Sequence, residues 1–154
     1  MRNVSILVLG GYGNFGKRIC ETLAKQSGIC LIIAGRNLEK AKQLCEIFRT
    51  NNASAELKAI AIDILSEDFP QQLQTLKPFL VIHTSGPFQG QDYRVPLACI
   101  NAGSHYIDLA DDRRFVCDIS KLNEQAKAKN LLVVSGASSV PGLSSIVIDG
   151  GFIY

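Results

Sequence analysis

Residues 4–16 read VSILVLGGYGNFG, an apolar run followed at once by closely spaced glycines. The run at 4–9 is typical of a buried strand, and Phe15, Ile19 and Leu23 recur every four residues, which gives the next segment the apolar stripe of a helix. A G-x-G-x-x-G loop between a strand and a helix is the arrangement that binds the pyrophosphate of a dinucleotide. The stretch therefore predicts the start of a Rossmann fold.

Each glycine of this loop has a mechanical role in the dinucleotide hypothesis. Gly11 allows the tight turn, Gly13 lets the backbone approach the phosphates, and Gly16 lets the helix pack closely on the strand. The anion would rest on amides at the helix start, at Asn14 and Phe15, which have no intrahelical partner and carry the positive end of the helix dipole. The alternative is a glycine-rich turn in an unrelated α/β protein.

An arginine occupies the position that distinguishes the two nicotinamide dinucleotides. NAD-specific sites carry an acidic residue about 20 positions beyond the glycines, where it accepts hydrogen bonds from the adenosine ribose. Arg36 stands at that position, followed by Asn37, and its guanidinium offers a planar fork of donors to the 2′-phosphate of NADP. The sequence therefore predicts NADP rather than NAD. The alternative for Arg36 is a solvated loop residue.

The rest of the chain alternates between strand-like and helix-like segments. Further strands are predicted at 30–34, 57–62, 79–84, 105–109 and 131–135, and helices at 14–26, 38–50, 66–76, 92–102 and 113–129. Six strands joined by crossover helices predict an α/β fold with a parallel, doubly wound Rossmann sheet in the order 3-2-1-4-5-6.

Ligands of such a sheet bind beyond the carboxyl ends of its strands, which adds two loops to the predicted cofactor site. Asp63 follows the third strand and could accept a hydrogen bond from the adenine amino group; an exposed loop carboxylate is the alternative. Ser85, Gly86 and Pro87 follow the fourth strand, on the side of the nicotinamide ribose. The segment 135–142, SGASSVPG, either completes the nicotinamide pocket or leads into another domain.

Composition describes an ordinary globular protein of one domain. With 154 residues, 47% hydrophobic content and a formal net charge of +2, the chain lacks the basic excess that nucleic acid or anionic membrane binding requires. It shows no targeting segment and no apolar stretch of roughly 18–20 residues, so we expect a cytoplasmic protein. Five widely spaced cysteines without a C-x-x-C pair suggest neither a zinc site nor disulfides.

The sequence assigns no catalytic residue. No tyrosine is followed four residues later by a lysine, which excludes the Tyr-x-x-x-Lys chemistry of short-chain dehydrogenases. His83 and His105 fall on predicted strands, where packing accounts for a histidine more often than base catalysis does. Tyr106 and Asp108 lie on the crevice side of the fifth strand and could face a substrate. Because histidines and carboxylates do not cluster along the chain, we expect no metal.

These motifs together resemble the NADP-binding domain of the saccharopine dehydrogenase-like proteins, also called saccharopine reductase-like. The resemblance covers nearly the whole chain and rests on the glycine loop, AGR at 34–36, HTSGPF at 83–88, HYIDL at 105–109, and SGA at 135–137 ahead of PG at 141–142. It implies an NAD(P)-dependent oxidoreductase ancestry. It also implies that the glycine loop binds the pyrophosphate, that Arg36 contacts the adenosine ribose end, and that residues 85–87 approach the nicotinamide.

Proteins of this family commonly carry a second α/β domain for substrate binding and dimer contacts. The resemblance therefore implies a dinucleotide-binding domain at 1–142, the start of a following segment at 143–154, and no substrate domain in this chain. Such a chain should bind nucleotide but catalyse hydride transfer poorly or not at all, with an unidentified substrate. Two alternatives stay open: an NADP-sensing regulatory module like the NmrA-type sensors, and an assembly scaffold that binds no nucleotide.

Overall fold

The computed structural model describes residues 3–138. Within this range six parallel strands form one sheet in the order 3-2-1-4-5-6, which confirms the predicted doubly wound fold. The strands are β1 Val4–Leu9, β2 Ile29–Gly35, β3 Glu56–Ala61, β4 Leu80–His83, β5 His105–Asp108 and β6 Val133–Val134. The helices are α1 Asn14–Ala24, α2 Leu38–Thr50, α3 Phe69–Leu76, α4 Arg94–Ala102, α5 Arg113–Asp118 and α6 Asn123–Ala128, with a 3₁₀ turn at Ile119–Leu122. The predicted segments beyond 138 lie outside these residues.

Strand β1 lies at the centre of the sheet and is apolar on both faces. Ile6 and Val8 pack into the layer with α1 and α2, whereas Leu7 and Leu9 pack into the layer with α3 and α4. A parallel strand that is covered on both sides must be hydrophobic at successive positions, because neither face meets water. The glycine loop directly follows β1 and therefore lies at the carboxyl edge of the sheet.

The segment predicted as one helix at 113–129 is divided in the structure. Helix α5 buries Phe115 against Phe88 and Ala110, while Leu122 and Ala126 pack against Ile100 in a different cluster. A straight helix cannot direct its apolar stripe to two clusters on different sides, and the 3₁₀ turn between α5 and α6 changes its direction. The prediction of a continuous helix was therefore wrong.

Helix α3 begins at Phe69, three residues later than predicted. The amide of Ser66 donates to the carbonyl of Asp63, and the amide of Phe69 donates to the carbonyl of Ser66, so successive turns occupy the preceding residues. Pro70 lies in the first turn of the helix, where its missing N–H costs nothing.

Three further predictions from the sequence concern the cysteines, metal binding and membrane-spanning segments. Cys20 and Cys99 are buried free thiols, and burial raises the pKa of Cys20 to about 12, so this thiol stays protonated. Across residues 3–138 no group of three or more histidine, cysteine, aspartate or glutamate side chains could hold a metal ion. None of the helices described has both the length and the hydropathy of a bilayer span.

Candidate functional site

A cleft of about 490 Å³ opens at the carboxyl ends of strands β1 to β4. It brings together residues from all four loops in which the sequence predicted cofactor contacts: Gly13, Arg36, Asp63, Ser85, Gly86 and Pro87. The remaining predicted residues lie beside it. Gly11 and Gly16 are buried under the loop, and Asn14, Phe15 and Asn37 are exposed at the starts of the two neighbouring helices.

The glycine loop is tied tightly to the neighbouring strand. The amides of Gly10 and Gly11 both donate to the carbonyl of Ala34, at 2.9 and 3.0 Å. The left-handed conformation falls on Gly10, with φ at 76°, and Gly11 is needed for space because a Cβ there would lie 2.8 Å from Cγ2 of Ile33. At Gly16 a Cβ would lie 2.1 Å from the carbonyl oxygen of Gly10, so the helix approaches the loop as closely as a glycine permits.

The N-terminus of α1 directly follows Gly13, a residue that lines the cleft. No side chain caps the helix, and its first turn contains no acidic residue. The amides of Asn14, Phe15 and Gly16 donate to no carbonyl or side chain among residues 3–138. Exposed amides at the positive end of an 11-residue helix favour an anion.

Arg36 also lines the cleft, with its guanidinium available. The residue is exposed, and within the described part of the chain it forms neither an ion pair nor a hydrogen bond. The side chain of its neighbour Asn37 is the N-cap of α2, since its Oδ1 accepts the amide of Lys40 at 3.0 Å. Asp63 is likewise partly engaged, since its Oδ1 accepts the amide of Leu65 at 3.0 Å.

Two residues that the sequence did not single out hold the loop after β4. Thr84 donates its hydroxyl to the carbonyl of Leu9 at 2.8 Å and so ties this loop to the end of β1. Gln91 donates its side-chain amide to the carbonyls of Ser85 and Pro87, at 2.9 and 2.6 Å. The peptide bond between Gly86 and Pro87 is cis. Hydroxyl and amide side chains near glycine loops were the available sequence signal. The partners of Gln91 lie within six positions along the chain, whereas the partner of Thr84 lies 75 positions away.

Behind this loop four polar side chains bond in series: three buried ones, His83, Tyr106 and Asp108, and the partly buried Ser135. We call them the polar chain. Nδ1 of His83 lies 3.0 Å from Oη of Tyr106, and Tyr106 donates its hydroxyl to Oδ2 of Asp108 at 2.8 Å. His83 therefore donates through Nδ1, and its Nε2 has no partner among the described residues. The hydroxyl of Ser135 donates to Asp108 at 2.9 Å.

The polar chain supports the crevice rather than facing it. His83 and Asp108 are both 0% exposed, and Phe88 packs edge-on against the His83 ring with ring centroids 5.0 Å apart. Of the two interpretations of His83, packing and catalysis, burial favours packing. His105 also has a structural contact, since its Nδ1 accepts the amide of Leu132 at 3.0 Å.

The free energy of unfolding should fall in mild acid because of His83. Burial lowers the pKa of this ring from 6.5 to about 4, against the opposing effects of the Asp108 carboxylate and the Ser85 backbone. The unfolded chain therefore binds the proton first, so the contribution to stability is complete above pH 6.5 and is lost as pH falls toward 4. The slope approaches about 1.4 kcal/mol per pH unit in that window. Urea unfolding of wild type and His83→Gln between pH 4.5 and 6.5 measures it; a pH-independent difference would contradict the assignment.

Comparison with known proteins places this geometry in a family. The family described as Saccharopine dehydrogenase NADP binding domain matches residues 6–134. A saccharopine dehydrogenase-like oxidoreductase of Rattus norvegicus is 27% identical over 164 aligned positions, which cover 99% of this chain and 37% of that protein. The corresponding protein of Homo sapiens is 26% identical over 167 positions, with the same coverage. The chain thus spans about 37% of the length of the curated relatives it matches.

Solved structures share the fold. An apo, histidine-tagged saccharopine dehydrogenase (L-Glu forming) from Saccharomyces cerevisiae matches with a TM-score of 0.75 and 18% identity, over 95% of this chain and 30% of that one. A short-chain dehydrogenase from Sphingobium yanoikuyae in complex with NADPH has a TM-score of 0.60 and 14% identity, over 85% of this chain and 69% of that one. At these identities the likeness concerns the arrangement of strands and helices alone.

Proposed function

Since the chain belongs to the saccharopine dehydrogenase NADP-binding domain family, we propose that it seats NADP(H) in the cleft for hydride transfer to or from an unidentified substrate. The family membership confirms two predictions made from the sequence, the saccharopine dehydrogenase-like resemblance and the NADP cofactor. The nicotinamide supplies the hydride chemistry, while the residues of this chain bind and orient the dinucleotide.

One observation carries the proposal: two groups that favour an anion adjoin the same cleft. The uncapped N-terminus of α1 directly follows Gly13, which lines the cleft, and Arg36, whose guanidinium has no partner among residues 3–138, lines it too. NADP carries a pyrophosphate and a 2′-phosphate at corresponding positions, so one molecule would satisfy both groups. An assembly scaffold without a ligand would have no need to leave these donors unpaired.

The proposed contacts follow the loops around the cleft. The pyrophosphate would lie on the glycine loop and the first turn of α1, with Gly11, Gly13, Asn14, Phe15 and Gly16. Arg36 and Asn37 would hold the adenosine end, Asp63 would face the adenine, and Ser85, Gly86 and Pro87 would line the nicotinamide ribose. The bond from Thr84 to Leu9 supports this assignment, since it holds the last of these loops against the first, and the bonds from Gln91 fix the shape of the last loop.

The cleft would position the cofactor, and hydride transfer also requires a substrate held against the nicotinamide. Because the curated relatives are much longer than this chain, we propose that additional segments position the substrate in a full-length protein of this kind. Residues 1–142 would then form the cofactor domain, and 143–154 would lead into the next segment. Titration of the purified chain with NADPH, followed by nicotinamide fluorescence, tests the binding step; no response at millimolar NADPH would overturn it.

Replacement of Arg36 by alanine should strongly reduce the preference for NADPH over NADH. A hydrogen bond to a charged group contributes about 1.5–3 kcal/mol, so the Kd for NADPH should rise roughly 10- to 100-fold while the Kd for NADH changes little. Fluorescence titration of both nucleotides with wild type and Arg36→Ala measures the ratio. An unchanged ratio would refute the role of Arg36.

Arg49→Ala is a matched control for this experiment. It removes the same side chain from the last turn of α2, whereas Arg36 lies just before the first turn of that helix. A 13-residue helix is about 20 Å long, so the control charge is far from the cleft. The NADPH to NADH ratio of Arg49→Ala should equal that of wild type.

A further inference from the structure

Tyr12, the residue between the first two glycines of the motif, links the two loops that would hold the phosphates of the cofactor. Its hydroxyl oxygen accepts the backbone N–H of Asn37 at 2.8 Å, a contact between residues 25 positions apart. Its ring lies on Gly35, where a Cβ would come within 2.5 Å of a ring carbon. The side chain therefore spans from the glycine loop to the loop that carries Arg36.

The Tyr12 hydroxyl keeps one hydrogen-bonding capacity unused. A phenol has one O–H to donate as well as lone pairs to accept, and the bond from Asn37 occupies only a lone pair. Among residues 3–138 no acceptor receives the O–H of Tyr12. Because Tyr12 lines the cleft together with Arg36, this free donor lies at the adenosine end of the site.

We propose that Tyr12 is a specificity-determining residue, whose hydroxyl donates to the 2′-phosphate of NADP beside the guanidinium of Arg36. This inference rests on the proposed function and adds a residue to it. The N–H of Asn37 holds the phenol oxygen in place, so the O–H is oriented before the ligand arrives. A phosphate oxygen accepts such a bond about twice as strongly as a neutral group, and NAD carries only a hydroxyl there. Tyr12 should therefore favour the phosphorylated cofactor.

The test compares 2′,5′-ADP with 5′-AMP, two probes that differ only in the 2′-phosphate. Tyr12→Phe keeps the ring on Gly35 and removes the hydroxyl. By calorimetry its Kd for 2′,5′-ADP should rise roughly tenfold, while its Kd for 5′-AMP stays within about twofold of wild type. Equal weakening of both probes would mean that Tyr12 only shapes the loops, and unchanged binding of both would mean that its hydroxyl does not reach the phosphate. Either outcome overturns the inference.

Two further measurements separate this inference from its premise. Tyr93→Phe is the matched control, because it removes a hydroxyl that donates to the carbonyl of Phe115 at 2.8 Å, outside the cleft. It should leave both Kd values unchanged. If wild type binds 2′,5′-ADP no better than 5′-AMP, the proposed function fails; if wild type and Arg36→Ala differ as predicted but Tyr12→Phe equals wild type, only the role of Tyr12 fails.

If the Tyr12→Phe variant does not fold, a measurement on the wild-type protein tests the same inference. With ¹³C-labelled tyrosine, the Cζ resonance of Tyr12 should shift when 2′,5′-ADP is added, and it should shift much less with 5′-AMP. Equal shifts with both probes would contradict a bond to the 2′-phosphate.

Discussion

Asp108→Asn should lower the free energy of unfolding by about 4 kcal/mol. The carboxylate is 0% exposed and accepts four donors: the hydroxyls of Tyr106 and Ser135 and the amides of Ala110 and Gly136. Asparagine has nearly the same volume but presents an NH₂ group in place of one oxygen. Since every neighbour is a donor, about two buried donors lose their acceptor, at about 1–3 kcal/mol each.

Urea unfolding followed by circular dichroism measures this loss, with Asp111→Asn as the matched control. Asp111 is an exposed carboxylate that accepts only the side-chain amide of Gln89, at 3.2 Å. The control should change the free energy of unfolding by less than about 0.5 kcal/mol. Comparable effects of the two substitutions would show that the buried network does not stabilise the fold.

The same substitution should also weaken cofactor binding, because Asp108 joins two loops at the crevice. Its side chain holds the amide of Gly136, and its backbone carbonyl accepts the amide of Ala137 at 2.9 Å, so the start of the loop after β6 is fixed to the end of β5. Through Tyr106 the network continues to His83, the last residue of β4. Tyr106→Phe removes only one donor and should have a smaller effect than Asp108→Asn.

The strand order and the position of the cleft were predictable because they follow from local patterns and general rules. The apolar run at 4–9 defines a strand, the stripe of Phe15, Ile19 and Leu23 defines a helix, and the handedness of crossovers limits the order of the strands. The cofactor preference was predictable from position 36 for a similar reason, since this position follows the end of β2 at a constant distance from the glycines.

The long-range contacts of the site were not predictable, because they join residues remote in sequence. The bond from Asn37 to Tyr12 spans 25 positions, and the bond from Ser135 to Asp108 spans 27. An asparagine directly before a predicted helix is typical of an N-cap, but no local pattern indicates that the backbone amide of Asn37 binds a tyrosine. The break in the segment 113–129 was missed for a related reason: its apolar period is regular, and only the two separate clusters it packs against require the turn.

Gly16→Ala should destabilise the fold by about 3 kcal/mol or more and abolish NADPH binding. The new Cβ would lie 2.1 Å from the carbonyl oxygen of Gly10, and its next neighbours, at 2.8 and 2.9 Å, are also backbone atoms. No side chain can rotate away, so α1 must move off the loop and lose its packing on β1. Alanine is the better helix former by up to about 1 kcal/mol, which offsets only part of this cost. Urea unfolding and NADPH titration of the same variant measure the two losses.

Gly13→Ala separates the two effects, because this glycine faces the cleft rather than the strand. Its φ of −74° suits any residue, and a Cβ would lie 3.2 Å from the carbonyl oxygen of Gly10, a contact that a small shift relieves. The free energy of unfolding should therefore change by less than about 1 kcal/mol, whereas the methyl group would occupy the surface on which the pyrophosphate rests. Gly13→Ala should lose NADPH binding while it stays folded, and Gly16→Ala should lose both. If Gly13→Ala bound NADPH as wild type does, the phosphates would have to lie elsewhere, and the assignment of the glycine loop would be wrong.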